Sequence, residues 1–164
     1  MEICLYNGKE ICAYDLKDEN GYYKDESVLK WKLAAAEGKL SCIECGEKVY
    51  LASGQIKEPY FAHYSKTECT YGDLSESEES KTGKRLLYSL LKKSFPEGEI
   101  HARYKMKNGM YSSCYVENLE GQDLAIDYRL QNSEFIKFNE RDKFYKSEGI
   151  IPIYILGIRL YKDT

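Results

Sequence analysis

The chain has 164 residues, 31% of them charged, and a formal net charge of −3. That length allows one ordinary domain, or a small module joined to a somewhat larger core. The acidic balance excludes a chain coated in basic residues, so any nucleic-acid-binding face must be local. No stretch approaches the roughly 20 apolar residues of a membrane span. Met1–Leu5 has neither the basic start nor the long apolar run of a secretory signal. The expectation is a cytoplasmic protein with no membrane partner.

In chain order, Glu2–Tyr6 and Lys9–Asp15 flank Asn7-Gly8, the strongest short hairpin signal. A polar loop follows to Lys24. Asp25-Glu26-Ser27 then offers an N-cap for a helix over Val28–Glu37, which Gly38 ends. Its Ala34-Ala35-Ala36 run is small enough for close packing, and Trp31 is expected in the core.

The next stretch carries the clearest chemistry. Cys42 and Cys45 form a C-x2-C knuckle, His63 follows after a hairpin-sized gap, and Cys69 comes six positions later. Two thiolates on one tight turn, one imidazole and a third thiolate make a tetrahedral Cys3His set suited to Zn2+. All four positions are filled by protein, so the expected zinc is structural rather than catalytic. Unrelated buried thiols with a surface histidine are the alternative, and they leave the paired knuckle unexplained. Two short strands, Lys48–Ala52 and Glu58–Ala62, are expected between the ligands. Cys4, Cys12 and Cys114 lie in strand-like runs and read as small buried hydrophobes. Sixteen tyrosines against five phenylalanines favour half-polar aromatic contacts on sheet faces and binding surfaces.

The acidic run Gly72–Glu79 opens a longer helix ending near Phe95-Pro96. Its acids either complement the helix dipole or form a partner surface. Leu87, Leu90 and Leu91 are its expected core stripe, extended backward by Lys84, Ser80 and Glu76. Gly83 marks the close approach of another backbone. Strands are then expected over Glu99–Met106, Tyr111–Leu119 and Leu124–Leu130, turning at Asn108-Gly109 and Glu120-Gly121. In the last of these, Ala125, Asp127 and Arg129 share one face. A helix over Phe135–Ser147 and an apolar strand over Ile150–Leu156, buried on both faces, complete an α+β core. Arg159–Thr164 reads as a polar tail.

The residues then carry a resemblance. The cysteine-histidine stretch with PYFAH, the Glu-Ser helix start with Gly83-Lys84, LAIDYRLQNSEF, Arg141-x3-Tyr145 and GIIPIYIL together resemble the competence protein CoiA-like family, over roughly residues 27 to 157. The resemblance implies a small Cys3His zinc module followed by a restriction-endonuclease-like mixed sheet flanked by helices. The implied division is residues 1–72 for the hairpin, first helix and zinc module, and 73–164 for the nuclease-like core. In such nucleases, acids on adjoining strands bind Mg2+ or Mn2+, which generates the attacking hydroxide.

Carried over residue by residue, the nuclease motif departs from the family. Asp127 falls where the family has Glu in an IExQ-type strand. Arg129 replaces its Gln or Lys, and it cannot act as a base. A shifted alignment matches Gln131-Asn132-Ser133 to a Q-x-S element but puts Arg129 in the acid's place. The first acid falls near Cys114 and Tyr115, with Glu117 the nearest carboxylate. The family's helix histidine falls on Ser80, while Glu76, Ser77, Gly83 and Lys84 match.

Two functional readings follow. In the first, the chain is a metal-dependent deoxyribonuclease with Asp127 as metal ligand and Glu76 or Glu79 and Glu117 assisting. Lys84, Arg129, Arg141 and Tyr145 would then engage the nucleic acid. In the second, catalysis is weakened or lost, and the chain binds DNA or a protein of a nucleic-acid-processing complex, for example as an inhibitor of a defence system. The enzyme requires a second acid within metal-bridging distance of Asp127. The binding protein requires Asp127 to pair with Arg129, Lys84 or Arg141. Arg141 and Tyr145 also read as an ordinary i,i+4 surface pair, and His101 as a lone hydrogen-bonded histidine.

Overall fold

The computed structural model describes residues 1–65, 68, 69, 71, 76–130 and 135–157, with side chains left aside at 135–137. The chain divides into two compact units, Met1–Glu78 and Glu79–Thr164.

In the first unit, β1 (Ile3–Tyr6) and β2 (Lys9–Cys12) form the hairpin expected from Asn7-Gly8. Both turn residues have positive φ, 48° and 80°, the geometry that lets a two-residue turn follow the strand twist. A 3-10 turn over Ala13–Leu16 takes over where a longer second strand is expected. It buries Ala13, Tyr14 and Leu16. Helix α1 (Asp25–Ala36) starts three residues earlier than expected, so Asp25 and Glu26 lie in its first turn rather than capping it. There they complement the helix dipole. Ala34 and Ala35 are buried, whereas Trp31 is only half-buried and packs edge-on against Tyr6 at 5.0 Å. The strand β3 (Leu40–Ser41) pairs with β1, an element that its two-residue length hides from sequence patterns.

The hairpin of β4 (Val49–Ala52) and β5 (Tyr60–His63) supplies the second sheet. Val49, Leu51 and Phe61 are its buried residues, following the two-residue alternation of a half-buried strand pair. Phe61 exchanges backbone hydrogen bonds with Met1, at 2.8 and 3.0 Å. The buried Glu58 ion-pairs with Lys17 at 3.0 Å, and its own N–H donates to Glu78 Oε2. Cys4 is fully buried, and burial pushes its thiol up to about 12, so it behaves as the small hydrophobe expected. Cys12 is half-buried.

The second unit is a four-stranded sheet in the order β6-β7-β8-β9. Its strands are β6 (Glu99–Ala102), β7 (Cys114–Leu119), β8 (Gln122–Arg129) and β9 (Ile151–Leu156). The first three run antiparallel, and β9 lies parallel to β8. Arg103, at φ 54°, ends β6 earlier than expected; a single bridge, Lys105 to Tyr111, continues that hairpin.

Helix α3 (Phe135–Ser147) joins the parallel pair. It places Tyr145 on the sheet face that carries Tyr115 and Ala125. Helix α2 (Glu78–Ser94) meets Tyr128, which alternation puts on the opposite face. A Cβ at Gly83 would overlap the Tyr128 ring, so the close approach expected there is to a side chain, not to another backbone. The buried side of α2 is Arg85, Leu87, Tyr88 and Leu91. Leu90 is 60% exposed, because the buried face runs from Leu87 through Leu91 to Tyr88, and at about 100° per residue position 90 falls on the other side of Leu87, off that face. Strand β9 is an edge strand with Ile151, Ile153 and Leu156 exposed, not the doubly buried strand its apolar run implies. The polar tail and the Gln131-Asn132-Ser133 element lie outside the described residues.

Candidate functional site

The metal-binding expectation rests on four residues that fold together. Cys42 follows β3, Cys45 follows three residues later, His63 ends β5, and Cys69 lies six residues beyond. Pairing of Val49 with His63 brings the hairpin end back beside the knuckle. Cys42 Sγ lies 3.8 Å from Cys69 Sγ, and Cys45 Sγ lies 3.3 Å from His63 Nε2. One ligand atom from each residue falls within 4.8 Å of all the others. Thiolates about 2.3 Å from a tetrahedral ion sit about 3.7 Å apart, so the spacing and the donor set both fit a metal such as zinc. Cys42 is buried and Cys45 exposed. Four protein ligands close the coordination sphere, and the chemistry of such a site is to hold the chain rather than to activate water.

Asp127 is the centre of the second cluster. It is 1% exposed, in the middle of the face of β8 that α3 covers. Arg141 grips it in a fork: Nε donates to Oδ2 and Nη2 to Oδ1, both at 2.9 Å. The Tyr145 hydroxyl, one turn along α3, donates to Oδ2 at 3.1 Å. Arg129 Nη2 lies 3.8 Å from Oδ1. Arg141 also donates to the Tyr111 carbonyl. Burial alone would lower the pKa of Arg141, but its hydrogen bond to Asp127 and the adjacent negative charge outweigh that and raise it. Tyr145 is raised first by burial and then by the Asp127 charge. These shifts keep Arg141 charged and Tyr145 protonated. Two guanidinium groups face one carboxylate, so the local charge is positive.

Arg141 and Tyr145 do share a helix face, and that face is turned to Asp127 rather than to solvent. Glu76 precedes α2, Glu79 is in its first turn, and Lys84 is half-buried one position after Gly83. Glu117 runs away from Asp127: Cys114 pairs with Ile126, and β7 proceeds from there toward the start of β8. Four residue steps at about 3.3 Å put Glu117 roughly 13 Å from the Asp127 position. Its neighbours are Glu99 and His101 instead. The lone-histidine reading of His101 misses this grouping, which hairpin register and the Glu99-x-His101 spacing make legible. The Tyr111 carbonyl has no side-chain signal and could not be found from sequence.

Residues 22–72 match the model of the competence protein CoiA N-terminal domain, a span that includes all four Cys3His residues. Over 125 residues the chain is 30% identical to the protein named competence protein CoiA of Bacillus subtilis (strain 168). That alignment takes in 75% of this chain and 32% of the relative, so the chain spans about a third of the length of the curated relative it matches. No solved structure matches the chain.

Proposed function

Because the chain belongs to the CoiA-like family, we propose that it is a zinc-stabilised, nuclease-like protein that acts on DNA or DNA-processing complexes without cleaving the nucleic acid. The observation that carries this reading is the occupation of Asp127. A hard divalent cation needs several oxygen ligands. Here the one acid at the motif position is already engaged by a bidentate guanidinium and a phenol. A positive group stands where Mg2+ or Mn2+ would bind, and a second positive group, Arg129, lies beside it. Such a charge balance repels a divalent cation and favours an anion such as a phosphodiester.

Arg129, about one-third exposed, is the residue of this cluster placed to meet a phosphate; Lys84, on the helix that meets the opposite face of the sheet, does not join it. The net charge of −3 supports a second reading, in which the acidic, tyrosine-rich surface engages a protein of a nucleic-acid-processing or defence system and inhibits it. The deciding experiment is a cleavage and binding assay of the zinc-loaded chain with linear, single-stranded and supercoiled DNA, in Mg2+ or Mn2+. We expect no cleavage and a binding isotherm that weakens with salt and with Arg129→Ala. Cleavage that disappears in Asp127→Ala would overturn the proposal in favour of an enzyme. Neither cleavage nor binding would transfer support to the protein-partner reading.

A further inference from the structure

Glu99 and Glu117 stand directly opposite each other across the β6–β7 pair, a placement in which like charges destabilise the ladder. His101 is two residues on from Glu99 and so shares its face. Its Nε2 lies 3.3 Å from Glu117 Oε1 and 3.8 Å from Glu99 Oε1. That nitrogen is buried, yet it makes no hydrogen bond, an arrangement that costs free energy unless something else satisfies it. The ring is supported from below: it packs on Tyr104 at 5.2 Å, and Tyr104 stacks on Tyr115 at 4.1 Å. The Tyr115 hydroxyl is fixed in turn by donating to Asp123 at 2.7 Å. A rigid imidazole thus directs one buried nitrogen between two carboxylates whose mutual repulsion nothing else on that face relieves among the described residues.

We propose that Glu99, His101 and Glu117 form a second metal site, separate from the Cys3His set, for a divalent transition cation of the Zn2+ or Co2+ type. The ion would take one imidazole nitrogen and two carboxylates. Nitrogen and oxygen ligands about 2.1 Å from a tetrahedral ion lie about 3.4 Å apart, which the His101–Glu117 spacing already matches. Glu99 is 72% exposed, so a rotamer change brings its oxygen in. The mixture of imidazole and carboxylate favours such ions over Mg2+. Three protein ligands leave a position open to water or to an external anion, unlike the closed Cys3His set. A bound cation removes both defects of the bare site, the facing carboxylates and the unsatisfied nitrogen.

The chain contains two histidines, His63 and His101, so imidazole 15N spectra report each site separately. The full chain, carrying one equivalent of zinc, is titrated with further Zn2+ at neutral pH. We expect the His101 Nε2 resonance to move to a metal-bound position while those of His63 stay fixed, with a second equivalent retained. Glu99→Gln removes one ligand from an exposed position and leaves the fold intact, and Glu117→Gln removes the other. Each should weaken the second equivalent at least tenfold without altering the first. A His101 signal unmoved by excess zinc overturns the proposal, as does an Nε2 that stays protonated throughout. Binding of undiminished strength in both Gln variants would show a lone surface imidazole rather than a site, and overturns it equally.

Discussion

Arg141 shows how a single residue can decide between two chemistries. A carboxylate that is 1% exposed is tolerable only when its charge is met, and Arg141 meets it with two parallel hydrogen bonds while the Tyr145 hydroxyl supplies a third. Removing one partner of such a pair leaves an uncompensated buried charge, a loss of about 3–5 kcal/mol, whereas replacing both by apolar groups of similar volume is close to neutral. Arg141→Met should therefore lower the urea midpoint strongly, and Asp127→Leu combined with Arg141→Met should recover most of that loss. Tyr145→Phe should cost only about 1–2 kcal/mol, because Arg141 still holds the carboxylate. A small effect of Arg141→Met would mean that Asp127 does not depend on it and that its carboxylate is free to take another cation. The pairing was legible in sequence only as an alternative. The i,i+4 spacing of Arg141 and Tyr145 gives a shared helix face, but which way that face turns is set by packing against Tyr115 and Ala125.

Among the elements, α2 tests how far local preference yields to packing. Gly83 lies inside the helix, where alanine would be favoured by about 1 kcal/mol on propensity alone. A Cβ there overlaps the Tyr128 ring, and overpacking of this kind costs about 1–3 kcal/mol. Gly83→Ala should thus be destabilising by thermal melting, while Gly83→Ala with Tyr128→Leu, which removes the obstructing ring atoms, should be more stable than Gly83→Ala alone. Equal or greater stability of the single variant would show that Tyr128 moves aside freely. The same helix shows what a sequence pattern leaves open. Apolar spacing locates α2 and α3 well, but Leu86 and Leu90 are exposed while Arg85 and Tyr88 are buried, since the stripe's exact rotation depends on the surface it meets. Likewise the Ile150–Leu156 run reads as a strand correctly, yet its position at a sheet edge is a property of topology rather than of composition. Turns were the most legible features, because Asn7-Gly8 and Glu120-Gly121 adopt positive φ at both positions, a geometry few other dipeptides accept.

At the scale of the whole molecule, the two units obtain their stability differently. Residues Glu79–Thr164 have a four-stranded sheet with a helix meeting each face, and none of the Cys3His ligands. Among the described residues, Met1–Glu78 divides its buried side chains between a three-stranded and a two-stranded sheet with one α-helix, and a unit of this size gains stability from a metal staple. The four ligands tie the chain between β3 and β4 to the end of β5 and beyond it, so a metal there closes the β4–β5 hairpin at its open end. Binding free energy at such a site is folding free energy. Chelation at neutral pH should therefore abolish the dispersed amide signals of residues 1–65 while those of the second sheet persist, and added Zn2+ should restore them. The pH dependence has a definite sign. The metal takes thiolates and a neutral imidazole, so lowering the pH makes protons compete for every ligand; zinc-dependent stability is present near neutrality and is lost steeply as the solution is acidified. Cys45→Ser, at the exposed position of the set, should shift that loss to higher pH by weakening the site without opening a cavity in the core. If chelation left the amide spectrum of the first unit unchanged, the four residues would be ordinary thiols and a histidine, and the core of Val49, Leu51 and Phe61 would have to hold the hairpin alone.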